Sequence, residues 1–310
     1  MTSRVTGAAL GTILWLPIAA YAAAVVVGPD AFPGMFTSSL VLLLSILIPL
    51  CFGLLHGAIR YGITGIAVFL LVTLAVSNVM EDASVLTGFP FGHYHYTDVL
   101  GSKLFLVPIL IGPAYFGTIY LCWMLATILL RTDARRDALA TLAVPVVAAF
   151  MVVGWDACID PGHATIEHLW IWENGGGHFG VPLTNFLGWY FTAYVILQLF
   201  ALYRVWQPVQ APAALPRGYW YQACTFFAVM ALDHPAQYLG QKDVAIADAT
   251  GRIWHTGDIH ESMAIVSLCT MLFVATTSFA VLLLRDAQAA DRTYRRGFHP
   301  ATRPRSPRAH

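Results

Sequence analysis

Long apolar runs alternate with short polar breaks along almost the whole chain. The runs are Ala8–Val27, Phe36–Leu55, Tyr61–Met80, Leu104–Leu130, Ala138–Gly154, Leu183–Val205, Tyr219–Leu232 and Ile259–Leu284. Each holds, or nearly holds, the roughly 20 apolar residues that a helix needs to cross a hydrocarbon layer. The pattern predicts an all-α polytopic membrane bundle of about eight transmembrane helices. The fifth and seventh runs are short and are expected either to extend into their polar flanks or to lie partly buried. Turn signals separate the runs: Gly28-Pro29, Phe32-Pro33-Gly34, Gln207-Pro208 through Gly218, and Thr256-Gly257-Asp258. No soluble domain fits between them and no internal repeat is visible. The chain therefore reads as one transmembrane domain over 1–284, with an Arg- and Pro-rich disordered cytoplasmic tail over 285–310. Arg4 and Ala20-Tyr21-Ala22 give the first run a signal-peptide look, but its apolar core is too long, and it is read as a retained helix.

Composition supports this reading. The 310 residues are 58% hydrophobic and 11% charged, and the mean hydropathy is +0.66. A soluble globular chain carries about a quarter charged residues, so this one lacks polar surface to meet water all round. No basic stretch interleaves with aromatics, which excludes nucleic acid as a partner. The five cysteines form no Cys-x-x-Cys pair and read as small buried hydrophobes.

The net charge of zero hides an asymmetry. Fourteen arginines, from Arg4 and Arg60 through Arg131, Arg204 and Arg217 to Arg308, fall on one side of the eight spans, and only Lys103, Lys242 and Arg252 on the other. The positive-inside rule then places both termini in the cytoplasm, with the protein in the inner (plasma) membrane. Thirteen of the seventeen acidic residues lie on the outer side. Those at helix ends carry the information, because a carboxylate there costs desolvation unless it faces a cavity or a partner.

Three clusters meet that description. Glu81-Asp82 closes the third span, Asp156 and Asp160 end the fifth, and Asp233-His234 ends the seventh opposite His255, Asp258, His260 and Glu261. Asp156 and Asp160 stand at i and i+4, so a helix reaching Pro161 projects both from one face. Two such carboxylates repel when both are ionised, and one keeps its proton. Capping of neighbouring helices explains the pair equally well on spacing alone. His93 and His95 alternate as on a strand; a wet loop is favoured over a metal pair, since no Glu-x-x-His or His-Glu-x-x-His box accompanies them. Trp170, Trp172, Trp189, Tyr190 and Trp220 suit an interfacial belt. Gly175-Gly176-Gly177 reads as a flexible turn.

Two stretches carry a resemblance. Glu81, then Thr87-Gly88-Phe89-Pro90-Phe91-Gly92-His93-Tyr94-His95-Tyr96 and Leu100-Gly101, resembles the carotenoid biosynthesis protein family of membrane carotenoid hydratases. So does the series Asp156, Ile159-Asp160-Pro161, Trp170-Ile171-Trp172-Glu173 and Phe179 through Trp189, as does His56 with Arg60-Tyr61-Gly62. The chain departs from the family pattern at Ser84, where a glycine is expected, and at Gly177-His178-Phe179, which replaces a Gly-Tyr-Phe type segment.

The resemblance implies hydration of a terminal C=C of an acyclic carotenoid or related polyisoprenoid, a hydro-lyase reaction needing no cofactor or metal. Its partners are the lipophilic substrate, water and the bilayer. The chemistry requires a carboxylic acid in a dry site, aromatic faces beside a tertiary carbocation, and one placed water. Asp156 or Asp160 is the expected proton donor, and Glu81 and Asp233 are expected to place water or take its proton. Phe91, Tyr94, Tyr96, Trp155, Trp172, Asn185 and Trp189 are the expected substrate contacts. A membrane terpenoid or carotenoid cyclase or isomerase would use the same protonation without the water. A metal or proton transporter fits less well, because its ionisable groups belong near the bilayer midplane rather than at one face.

Overall fold

A computed structural model describes residues 11–27, 38–132, 137–207, 215 and 218–297. They form an all-α bundle. The helices are α1 (Trp15–Val27), α2 (Ser38–Thr87), α3 (Ile111–Leu129), α4 (Ala138–Asp160), α5 (Leu183–Trp206), α6 (Tyr219–Gly240), α7 (Thr256–Ser267) and α8 (Phe273–Gly297). A π-turn over Pro161–Ile166 continues α4, and another over Leu268–Leu272 joins α7 to α8.

Over the described residues each predicted run falls on helix, apart from the start of the fourth. The second and third fall on the two arms of α2, which break at Gly62 (φ 69°, ψ 170°). Only glycine takes that positive φ cheaply, so the residue after Arg60-Tyr61 reverses the chain without a loop. Among the described residues, five helical stretches are long and apolar enough to cross a membrane: Leu40–Thr87, Ile111–Leu129, Ala138–Ile166, Leu183–Trp206 and Thr256–Arg292. In α3, 83% of the apolar window is buried, against 28–39% in the other four. That contrast makes α3 the centre of the bundle and the others its wall. The outward faces carry large apolar side chains, among them Leu71, Phe150 and Phe273, each more than 60% exposed. Lipid covers such a surface at no cost, whereas water would not.

The fourth and last runs end differently from the sequence reading, while the fifth and seventh extend into their polar flanks as expected. The fourth run becomes helical only at Ile111, because Pro108 breaks the ladder and restrains Val107 to extended backbone; residues before it form the hairpin β2 (Lys103–Leu104) and β3 (Val107–Pro108). Proline at 161 does not end the fifth. It forfeits the α-helical bond to the Ala157 carbonyl, and His178 Nε2 takes that carbonyl at 3.1 Å while the chain widens into the π-turn. The seventh run continues through Pro235 to Gly240. The last helix runs on over Arg285–Gly297, within the segment read as a tail; 298–310 lie outside the described residues.

The α2–α3, α4–α5 and α6–α7 connections meet at one end of the bundle. There β1 (Tyr94–Tyr96) pairs antiparallel with β4 (Trp170–Trp172), and β5 (Ala245–Ala247) with β6 (Ile253–His255). In the first pair Tyr94 lies opposite Trp172 and Tyr96 opposite Trp170, so four aromatic side chains share the face turned to the bundle. His95, one residue out of step, points away and meets Glu173 at 3.5 Å.

Candidate active site

The carboxylates predicted from helix ends converge beneath that sheet. Asp156 and Asp160 share one face of α4 and are each 1% exposed; Glu81, one turn and a half before the end of α2, is 4% exposed. Asn185, in the first turn of α5, donates through its single Nδ2 to Asp156 Oδ2 at 2.8 Å and to Asp160 Oδ2 at 2.6 Å. The pair thus shares one neutral donor instead of meeting a cation. Asp160 is tied on its other oxygen as well, since Trp170 Nε1 donates to Oδ1 at 2.7 Å. Asp156 is held by Asn185 alone.

Glu81 sits in a cage of phenols. Tyr115 donates to Oε1 at 2.5 Å, Tyr96 to Oε2 at 3.0 Å, and Tyr94 also to Oε2. A hydrogen bond to a charged group contributes about 1.5–3 kcal/mol, so three of them counter part of the several kcal/mol that burying a carboxylate costs. Burial first, and then the neighbouring Glu81, push the Tyr94 and Tyr96 phenols well above the ordinary tyrosine range. They stay protonated, and so remain donors.

Aromatic rings pack around these carboxylates. Trp189 stacks on Tyr115 (ring centroids 4.1 Å apart, 16° between planes) and meets Trp155 edge-on at 5.6 Å and Phe91 at 6.1 Å. Tyr94 lies 4.8 Å from Trp172. The Trp172 indole is buried and directs its Nε1 toward Asp160. Phe91 is seated by Gly188, whose absent Cβ would stand 2.6 Å from the Phe91 ring and 2.9 Å from its Cα.

The two departures from the family pattern fix the loops that deliver these groups. Ser84 Oγ donates to the Gly92 carbonyl at 2.9 Å and accepts from Phe91 N at 3.1 Å, clamping the turn that aims Phe91 inward. His178 holds the freed Ala157 carbonyl, as above. The glycine run is tighter than a flexible turn. A Cβ on Gly176 would lie 2.1 Å from the Val181 carbonyl carbon and oxygen, whereas one on Gly177 meets nothing within 4 Å. Gly176→Ala is therefore expected to lower stability by about 3 kcal/mol. Gly177→Ala should stay within about 0.5 kcal/mol of wild type. Thermal unfolding in detergent measures both, and equal melting points would remove the steric account.

Asp233 does not join the three carboxylates. Its neighbours are Gln237 and the charge of His163. Conversely, Tyr115 and Trp170 belong to the site although sequence reasoning placed neither there. Tyr115 was hidden as an aromatic in an apolar run, and Trp170 as a belt residue. His93 and His95 are exposed, their buried neighbours being Tyr94 and Tyr96. Among the described residues no three His, Cys, Asp or Glu side chains form a metal-ligating group.

A family model described as carotenoid biosynthesis protein matches residues 36–239. That stretch runs from the start of α2 to the end of α6 and contains every side chain of the carboxylate and phenol cages. No curated protein and no solved structure matches the chain.

Proposed function

The chain belongs to the carotenoid biosynthesis protein family, and from that premise we propose that it adds water across a terminal trisubstituted C=C of an acyclic carotenoid or related polyisoprenoid. Its role in carotenoid metabolism follows from the family. The hydration step is our reading of the site. The observation that carries it is the pair Asp156 and Asp160 on one amide donor, with a third buried carboxylate, Glu81, held by Tyr115, whose ring stacks on Trp189.

Protonating an alkene takes a strong acid in a place without competing water. Asp160 accepts on both oxygens and is the better anion; Asp156 has one oxygen uncommitted and is the donor. Like charges this close keep one proton on the pair. Transfer of that proton to the terminal carbon leaves a tertiary cation. The faces of Trp189, Tyr115 and Trp172 stabilise it, each cation–π contact contributing on the order of 2 kcal/mol in a desolvated site. Water then attacks the cation from the Glu81 side, and Glu81 takes the surplus proton. One proton goes onto carbon, one comes off water, and no electron changes hands. The long apolar chain lies between helices in the bilayer while water arrives from the loop end.

Expression in a lycopene-accumulating host tests the reading. The expected product is heavier than the substrate by one or two waters and carries a tertiary alcohol. A cyclised or isomerised product of unchanged mass would instead favour a cyclase or isomerase.

Orientation is part of the proposal: the site faces the outside of the inner membrane and both termini are cytoplasmic, a reading that the fourteen-to-three cation bias supports. With Cys51 and Cys269 replaced by alanine, Asn174→Cys is expected to react with an impermeant maleimide in intact cells. Gln207→Cys should react only after lysis. Labelling of both from the same side would contradict the topology.

A further inference from the structure

A second group of titratable side chains adjoins the site without being part of its hydration chemistry. His163 and Glu167 lie on the π-turn that follows Asp160, Asp233 and His234 on α6, and His260 on α7. His163 Nδ1 and Glu167 Oε2 are 2.9 Å apart. The His163 ring meets the edge of Trp170 at 5.8 Å, the same indole that donates to Asp160. His163 also feels the charges of Asp160 and Asp233, and Glu167 faces His260. His234 and His260 are 5% and 6% exposed, and their Nδ1 atoms have no hydrogen-bond partner. Exposure rises in one direction: Asp160 is sealed, the His163 side chain is 27% exposed and that of Glu167 50%.

We propose that this cluster is a proton inlet, in which His163 carries protons from solvent at Glu167 to Asp160 and so refills the Asp156–Asp160 pair after each turnover. The inference rests on the reading of that pair as the acid. Its need follows from stoichiometry: the proton spent on carbon leaves from the aspartate pair, whereas the proton of the captured water arrives at Glu81. Asp160 is sealed from solvent, so the pair needs a route of its own, and the cycle closes when Glu81 gives its proton to the water that enters at the loop end. An imidazole exchanges protons near neutrality, and with Nδ1 engaged by Glu167 its Nε2 is left to hand the proton on. Glu167 suits the outer post because His163 holds its carboxyl below the ordinary range, keeping it an acceptor that fixes the imidazole. Asp160, Glu167 and Asp233 surround His163 with negative charge, while His234 and His260 stand behind it as further imidazoles.

The test uses the full chain in nanodiscs with an acyclic polyene, following hydrated product from mildly acidic to alkaline pH. His163→Ala is expected to slow turnover by about tenfold or more, most severely at alkaline pH, with partial rescue by added imidazole. Imidazole should not rescue Asp156→Asn. Glu167→Gln, at a half-exposed position, is expected to fold normally. It should move the alkaline limb of the rate profile to lower pH, because the imidazolium loses its neighbouring anion. A wild-type rate and profile in both variants would overturn the inlet, as would a His163→Ala loss that is uniform in pH and unrescued. Absence of hydrated product from the wild type itself would overturn the reading on which it rests, and the inlet with it.

Discussion

Asp156→Asn is expected to lower the yield of hydrated product by about 100-fold or more, the lower range for removal of a general acid. The substitution preserves shape and leaves no charge unpaired, so the protein should insert and fold. It removes the only transferable proton at an oxygen that Asn185 does not occupy. Asp160→Asn tests the other half of the pair. Its carboxylate accepts from both Trp170 and Asn185, and an amide at that position can keep only one of these bonds in the same sense. A smaller loss is expected there, since the donor remains but its anionic neighbour does not. Yields must be normalised to inserted protein. Near-wild-type product from Asp156→Asn, with severe loss from Asp160→Asn, would exchange the two roles.

Glu81→Gln is expected to be comparably severe and to change what is made. Three phenols point their hydroxyl protons at this side chain, and an amide nitrogen in place of one oxygen turns an acceptor into a donor facing donors. With no base to take the proton of attacking water, the cation instead returns a proton from a neighbouring carbon to the Asp156–Asp160 pair. Isomerised product of unchanged mass should therefore accumulate as hydrated product falls by about 100-fold. Tyr115→Phe removes one bond of about 1.5–3 kcal/mol, roughly 10- to 100-fold in rate if the bond is fully used in the transition state. Product analysis by mass and chromatography separates these outcomes. A uniform loss with no change in product distribution would mean that Glu81 supports the fold rather than the water.

Much of the site was legible because a membrane makes acids conspicuous. Glu81, Asp156 and Asp160 stood out as carboxylates at the ends of apolar runs, and the i, i+4 spacing put two of them on one face once the helix ran past Gly154. Proximity between the two groups had no such local signal. It depends on the pairing of β1 with β4, which joins Tyr94 to Trp172 across an intervening pair of helices. Tyr115 escaped because a tyrosine in an apolar run scores as hydrophobic, and only the fold shows its hydroxyl on Glu81. Trp170 escaped for a related reason: an interfacial indole and a carboxylate donor look alike until the partner is placed. Asp233 was drawn into the site by its resemblance in position to the other helix-end acids, yet α6 delivers it to His163. The π-turn after Pro161 was unreadable as well, since proline ordinarily marks a helix boundary; its continuation depends on His178, seventeen residues further on.

The most direct measurement of the central claim is the origin of the oxygen. Purified protein in nanodiscs, given an acyclic polyene in water labelled with heavy oxygen, is expected to yield a tertiary alcohol carrying the label, one atom per hydrated end, with Asp156→Asn yielding almost none. Polyene consumed by the wild type without label in the product would contradict hydration and with it the assigned roles of Asp156 and Glu81.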